Sequence, residues 1–509
     1  MSDLKEFAGP VSSQNAKSKP DSPIKHLVVL MLENRSFDHM LGYLDIKGLE
    51  NVLQKNCTNK DKHGKDCPTK PVAEPSGLTD PGHDFEDVCM QLYGGYGQDV
   101  DCEAESTMAA DPQMQGFIRS YAEYGDDEGR EIMQCFDPNH IPVITTLAKE
   151  YAVCDHWFSS IPGPTLPNRL FAHAGTASGR LDISAEEFGT PLTIYEVLNE
   201  SNVGSTIYAG GWTAASTFWN LMKEQDQYFG TLDDFFQDCY DYNLPGYSFL
   251  EPRYSPGVID GTFRPQNDQH PDSDVAQGEL LIYSVYQAIR SNPAVWNSTM
   301  LVIVYDEHGG IYDHVPPPKA TPPDDKPSLD PKFNFDRYGV RVPAVIVSAY
   351  TSHVVCKDVF DHTSLIATAR KVLTTNGPDD RLGKRAKCAN TFDTDTILNH
   401  RDGPRKDHVS INAPMCKPNL QKSYCLNHLQ ISHLKQALCL NQKLPKSLQV
   451  APHPTLVGLK NDGPDSDFCK IDPKDADHFT QSVSTTVRHL GPKFREMLEK
   501  PCTESSSNS

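Results

Sequence analysis

The run Ile24-Lys-His-Leu-Val-Val-Leu-Met-Leu32 is almost continuously apolar and rich in β-branched residues. It is short enough for a strand, and its lack of alternation predicts a strand buried on both faces, as in a parallel sheet covered by helices. Runs of the same texture recur at Ser205–Ala209, Tyr247–Leu250, Met300–Tyr305 and Val342–Ser348. Between them lie stretches with helical spacing at Ile141–Tyr151, Asn168–Thr176, Leu192–Glu200, Val275–Ser291 and Ser364–Val372. Strands alternating with helices predict an α/β domain, a three-layer α/β/α sandwich around a mostly parallel sheet. Asn51–Ser76 and Pro316–Pro331, rich in Pro, Lys and Asp, predict surface insertions. After about Lys387 the strong strands stop and one helical patch, Leu426–Leu440, stands out. The expected organisation is a polar extension over 1–22, a catalytic domain over 23–387, and a smaller helical or irregular domain over 388–509 with a solvated end.

Composition narrows the classes. Among 509 residues, 47 Lys and Arg against 68 Asp and Glu leave a formal net charge of −21. That balance argues against an extended nucleic-acid footprint and against strong attraction to anionic lipid. No run approaches the roughly 18 apolar residues of a membrane-spanning helix. The N-terminal residues 1–22 lack the apolar core of a secretory signal. The 14 cysteines show no CxxC or zinc-finger spacing. Cys57 and Cys67, and the later set Cys388, Cys416, Cys425, Cys439, Cys469 and Cys502, fall in loop-like stretches where bridges would fit. Two settings stay open: an intracellular or peripheral membrane enzyme with free thiols, which is preferred, and an exported protein. The sequons at Asn56, Asn199 and Asn297 are compatible with export but arise readily by chance.

In open α/β sheets, ligands bind beyond the carboxyl ends of the strands. Leu32 is followed by Glu33-Asn34-Arg35-Ser36, and Tyr305 by Asp306-Glu307-His308-Gly309-Gly310. Carboxylates delivered to one edge repel each other unless a cation lies between them, which points to one or more divalent metal ions. Adjacent strand residues face opposite ways, so Asp306 and Glu307 can act together only if the chain turns, and Gly309-Gly310 permits that turn. Either cluster alone reads first as a helix cap or a solvated loop; two at equivalent strand ends favour the metal. A third segment, Ser160-Ile-Pro-Gly-Pro-Thr165-Leu-Pro-Asn168-Arg169, places Thr165 and Asn168 at a rigid turn opening a helix. Thr165 reads as a helix cap, or beside a metal as a nucleophile. His83, His270, His308, His314 and His362 sit in loops where one or two can hold phosphate or protonate a leaving group.

Glu33-Asn-Arg-Ser-Phe-Asp-His39, Pro162-Gly-Pro-Thr-Leu-Pro-Asn-Arg169 and Tyr305-Asp-Glu-His-Gly-Gly-Ile-Tyr-Asp-His-Val315 together resemble the phosphoesterase family. That family contains bacterial phospholipases C, plant non-specific phospholipases C and some acid phosphatases. The resemblance continues through Asp80-Pro-Gly-His83, Asn267-Asp-Gln-His-Pro271, Asp336-Arg-Tyr-Gly-Val-Arg-Val-Pro343 and Phe360-Asp-His-Thr-Ser364, covering about Pro23 to Phe392. It implies an alkaline-phosphatase-like fold. It also implies a metal held by Glu33, Asn34, Asp306 and Glu307 with Thr165 at its edge as nucleophile. Asn168, His83 and His270 would contact phosphate, as would His314 and His362; His308 departs from some bacterial members and receives no essential role. The implied reaction is phospholipase C hydrolysis of a glycerophospholipid to diacylglycerol and a phosphorylated headgroup. The alternatives are a phosphomonoesterase acting on small phosphate esters and a non-catalytic phosphate or lipid binder. Trp157, Phe158, Ile161 and Leu166 flank Thr165 and offer an apolar entrance for contact with a membrane surface, although aromatics beside a turn are more often core.

Overall fold

A computed structural model of the chain describes residues 22–483, apart from 73–77, 97–99, 103, 125–127, 183–190, 260–261, 326–332, 376–379, 401, 415–427 and scattered positions beyond 444. Eight strands form the central sheet: β1 (His26–Leu32), β2 (Ala152–Cys154), β3 (Ser205–Ala209), β4 (Phe229–Thr231), β5 (Tyr247–Glu251), β6 (Thr299–Tyr305), β7 (Ala344–Ser348) and β8 (Val354–Cys356). Their order across the sheet is β8-β2-β7-β6-β1-β5-β3-β4. Five of the seven pairings are parallel, and only β7 runs against its neighbours β6 and β2. Every residue of β6, and every residue of β1 after His26, is buried, as their unbroken apolar runs require of central strands with both faces covered.

The covering helices fall into two groups. Helices α1 (Pro142–Glu150), α2 (Leu232–Asp241) and α3 (Val275–Ser291) form one, and α4 (Thr165–Ala174), α5 (Ile194–Glu200) and α6 (Thr363–Leu373) the other, with helices on both sides of the sheet. The layered, mostly parallel architecture expected from the alternating pattern is what is observed. Helix α4 starts three residues earlier than the apolar spacing predicts, because Pro164 is its N-cap and Pro167 falls within the first turn, where a missing N–H costs nothing.

The main core continues past the boundary expected at 387. Phe392, Ile397, Val409 and Ile411 are buried in it. A second, smaller apolar cluster joins Ile431, Leu434 and Leu438 of the helix His428–Lys443 to Leu456, Phe479 and Val483, and it packs on Met222 and Phe229. Among the described residues no helix is long and apolar enough to cross a membrane.

The cysteine expectation is corrected in detail. Cys57, Cys67 and Cys388 are free thiols, whereas Cys89 bridges Cys102 across 13 positions of sequence. Cys439 is disulfide-bonded, and Cys416, Cys425, Cys469 and Cys502 lie outside the described residues.

Candidate active site

Register brings the first two clusters together. β1 and β6 are parallel neighbours with Leu32 opposite Tyr305, so Glu33-Asn34 and Asp306-Glu307 emerge side by side at the carboxyl edge. There the Asn34 N–H donates to Asp306 Oδ1 at 3.0 Å, and the Glu307 N–H donates to the same oxygen at 2.7 Å. Asn34 takes a left-handed φ of 58°, and Gly309 and Gly310 take φ of 64° and 68°. The glycine turn is required by space as well as by conformation. A Cβ at Gly309 would lie 2.3 Å from the Asn34 carbonyl oxygen, and the left-handed conformation alone costs an ordinary residue about 1–2 kcal/mol. Gly309→Ala is therefore expected to lower the melting temperature and to cut turnover by displacing Asn34. Wild-type values for both would show that the turn does not set the geometry.

Thr165 meets this edge from α4. Its hydroxyl donates to Asn34 Oδ1 at 3.1 Å and lies 3.4 Å from Glu33 Oε1, with the side chain 1% exposed. It makes no capping bond to its own helix, so the cap reading is set aside. The turn before it is fastened by Asn168. That side chain accepts from the Ile161 N–H at 3.0 Å and donates to the carbonyls of Gly163 and Pro164 at 2.9 and 3.1 Å. The Asn168 amide is thus engaged with backbone in this structure, and its placement is that of a brace for Thr165.

Histidines complete one wall. The His270 Nδ1–H donates to Asp272 Oδ1 at 2.7 Å, and its Nε2 lies 3.4 Å from Asp80 Oδ1. Burial alone would lower the His270 pKa, but Asp80 and Asp272 outweigh it and hold the ring as an imidazolium well above its ordinary range. The His83 ring lies 6.3 Å from that of His270, centroid to centroid, and its Nδ1 meets the Pro81 carbonyl at 2.8 Å. His362 accepts from the Trp157 indole N–H at 3.4 Å and donates from Nε2 to the Asp306 carbonyl, so it stands at the edge of the cluster as a neutral ring, its pKa lowered by burial. His308 bonds Gln91 Oε1 at 2.7 Å and is likewise neutral, pushed down to about 3 chiefly by burial.

His314 is not brought to this wall. It bonds Asp38 and lies 3.3 Å from Glu50, in a separate buried knot whose centre is Arg341. Arg341 Nε donates to Asp313 Oδ1 at 2.9 Å, and its Nη2 donates to Asp313 Oδ2 and Asp38 Oδ1 at 3.1 and 3.2 Å. Burial opposes a charge on His314, but Asp38 outweighs that and raises its pKa. Among the described residues, Asp38, Asp313 and His314 are the one trio of acidic, His or Cys ligands whose atoms all lie within 4.8 Å. The guanidinium and the proton-holding His314 ring together balance the two carboxylates, so the trio is a structural ion network. Removing one partner of a buried ion network costs about 3–5 kcal/mol, and Arg341→Met is expected to lose that much in urea unfolding. An unchanged midpoint would contradict the charge assignment.

The residues Glu33, Asn34, Asp306 and Glu307 fit a cation on different grounds. Glu33 Oε2 and Glu307 Oε1 are buried carboxylate oxygens without a hydrogen-bond partner. Burial first, then the Asp268 and Asp306 carboxylates, push Glu33 well above its usual range, and burial with Asp306 pushes Glu307 up to about 8. Crowded hard oxygen donors that oppose each other's ionisation suit a divalent ion.

Sequence reading passed over several residues that shape this site. Arg169 is fully buried, donates from Nε to Asp306 Oδ2 at 3.0 Å and from Nη2 to the Leu32 carbonyl at 3.2 Å, and stacks 5.1 Å from the Tyr254 ring. Arg35 clamps the His270 loop through the carbonyls of Gln269 and His270 at 2.6 and 3.1 Å. Asp80, Asp268 and Asp272 flank His270. All five lie inside or beside the quoted motifs, and buried charged residues among motif residues were the available signal. Trp157, Phe158, Ile161 and Leu166 are no more than 2% exposed. The expectation of an apolar entrance built from them is therefore corrected: they are core.

The chain is 36% identical to the Arabidopsis thaliana protein named non-specific phospholipase C6 over 82% of its own length and 81% of that protein's. It is 34% identical to non-specific phospholipase C3 of the same plant, covering 79% and 77%. It is 26% identical to phospholipase C B of Mycobacterium tuberculosis, covering 81% and 87%. A solved structure from the alkaline phosphatase superfamily of Vibrio parahaemolyticus aligns with a TM-score of 0.30 at 11% identity, over 49% of this chain and 64% of that one. The phosphoesterase family model matches residues 24–374, which contain every residue of the cluster just described. The chain belongs to the phosphoesterase family.

Proposed function

We propose that the protein is a phospholipase C that cleaves the glycerol-side phosphodiester of glycerophospholipids, releasing diacylglycerol and a phosphorylated headgroup. The observation that carries this reading is the Thr165 hydroxyl on Asn34 and Glu33, where two parallel strands deliver their acidic ends. Its relatives' names point to the same substrate class. Thr165 Oγ1 gives up its proton to solvent and attacks phosphorus in line; the Oγ1–P bond forms as the P–O bond to the diacylglycerol breaks, and the departing oxygen takes a proton from solvent. Water then hydrolyses the phosphothreonine and regenerates the hydroxyl. Glu33, Asn34, Asp306 and Glu307 would hold a divalent ion that lowers the pKa of a bound hydroxyl and neutralises developing negative charge. His270, held as an imidazolium between Asp272 and Asp80, supplies fixed positive charge for phosphate oxygens, with His83 beside it. His362 carries its proton on Nε2, where it fixes the Asp306 backbone.

A second reading, phosphomonoester hydrolysis, is favoured by one observation: the apolar residues beside Thr165, Trp157, Phe158, Ile161 and Leu166, are core and do not themselves form a lipid entrance. Incubating the protein with phosphatidylcholine vesicles and, separately, with p-nitrophenyl phosphate separates the two. Diacylglycerol and phosphocholine from the vesicles are the expected products. Hydrolysis confined to the monoester would sink the phospholipase reading. The Cys89–Cys102 bridge supports an oxidising, exported setting over an intracellular one.

A further inference from the structure

The family match ends at residue 374, yet a short segment beyond it grips both ends of the helix that carries Thr165. At the far end, Gly175 closes α4 with a left-handed φ of 73°, and a Cβ there would lie 2.1 Å from the Leu382 carbonyl oxygen. At the near end stands Arg385, 1% exposed. Its Nη1 donates to the carbonyl of Ser160, in the turn that leads into Thr165. Its Nε donates to the Thr321 carbonyl at 2.6 Å and its Nη2 to the Phe335 carbonyl. The guanidinium lies 4.7 Å from the centre of the Phe171 ring, on α4 itself. Asp361, 3.8 Å from Arg385, accepts from the Ser160 hydroxyl at 2.8 Å, and that hydroxyl accepts from the His362 N–H at 3.3 Å. One planar cation therefore joins the nucleophile turn, the face of the nucleophile helix and the loop that bears His362.

We propose that Arg385 is a positioning residue for Thr165, holding the 160–165 turn at the height from which the hydroxyl reaches Asn34 and Glu33. The inference rests on Thr165 being the nucleophile. Three carbonyls in fixed directions match the fork of a guanidinium, whereas a lysine ammonium is a single point on a flexible stem. A turn released by even 1 Å costs about 100-fold in rate when the reacting atom rides on it. Substrate contacts are left untouched, so the loss falls on kcat with KM held close to the wild-type value.

The test measures kcat per folded molecule for Arg385→Ala, Arg385→Lys, Thr165→Ala and Arg405→Ala. Arg405 is a partly buried arginine whose carbonyl partners, Glu150 and Thr351, lie away from the site, so it reports on stability alone. Expected are a loss of about 100-fold for Arg385→Ala and about tenfold for Arg385→Lys, both with little change in KM. Added guanidinium at sub-denaturing concentration should restore turnover to Arg385→Ala but not to Arg405→Ala, which loses melting temperature and keeps its kcat. Arg385→Ala with wild-type kcat per folded molecule, beside an inactive Thr165→Ala, overturns the proposal and leaves the nucleophile reading standing. An active Thr165→Ala overturns both. Should Arg385→Ala fail to fold, Arg385→Lys decides the matter, a wild-type kcat overturning the proposal and a tenfold loss supporting it.

Discussion

Thr165→Ala is expected to abolish hydrolysis of both phospholipid and p-nitrophenyl phosphate, by about 10⁴-fold or more, the scale set by removing a nucleophile elsewhere. The structure makes this substitution unusually clean. Thr165 does not cap its helix, and alanine is a good helix former at that position. The lost contacts are the hydrogen bonds to Asn34 and Glu33, worth about 1 kcal/mol, so the variant should fold with nearly the wild-type melting temperature. Thr165→Ser keeps the oxygen and should retain measurable turnover, while Thr165→Val keeps the branched shape and should not. A Val variant as active as wild type would remove Thr165 from the chemistry and return it to a packing role.

The second large effect concerns the carboxylates. Glu33→Gln is expected to lower the divalent metal content of the purified protein, read by elemental analysis, and to reduce turnover by about 10³-fold, the scale of several kcal/mol. Glu33 is a better choice than Asp306, because Asp306 also holds the buried guanidinium of Arg169 and its loss would leave that charge unpaired. Oε2 of Glu33 has no such partner. Exhaustive chelation of the wild-type protein should silence it, with activity returning on addition of a divalent ion. A protein that stays active with no metal bound would refute the assignment, whatever the fate of the Gln variant.

Much of the frame was legible because burial leaves a strong mark on sequence. The long apolar runs of β1 and β6 gave both the strands and the neighbourhood of the site, since whatever follows two parallel central strands in register must meet at one edge. The strands β2, β4 and β8 are three residues each and too short to carry a pattern. Helix α2, Leu-Asp-Asp-Phe-Phe-Gln-Asp-Cys-Tyr-Asp, buries only Leu232, Phe235 and Cys239, so its polar majority hid it. Within the site, Thr165, Glu33, Asn34, Asp306, Glu307, His83, His270 and His362 lie close together as expected. His314 lies apart because Asp38 and Arg341 compete for its loop, and no local signal reveals a partner 276 positions away in sequence. Arg169 and Arg35 were visible as letters but not as buried cations, because a side chain's burial depends on what covers it.

The place of β1 in the sheet has a consequence for how the chain is made. Its two partners, β5 and β6, begin at Tyr247 and Thr299, whereas β1 ends at Leu32. At about 5–20 residues per second, a nascent chain carries that apolar strand for roughly 10–40 s before the first partner is synthesised. Over that interval a strand that ends up buried on both faces is an exposed, edge-bearing hydrophobic strand. Yield during synthesis is therefore set by how that segment is sheltered, and chaperone supply and slower growth should raise the soluble fraction more than any change at the finished surface.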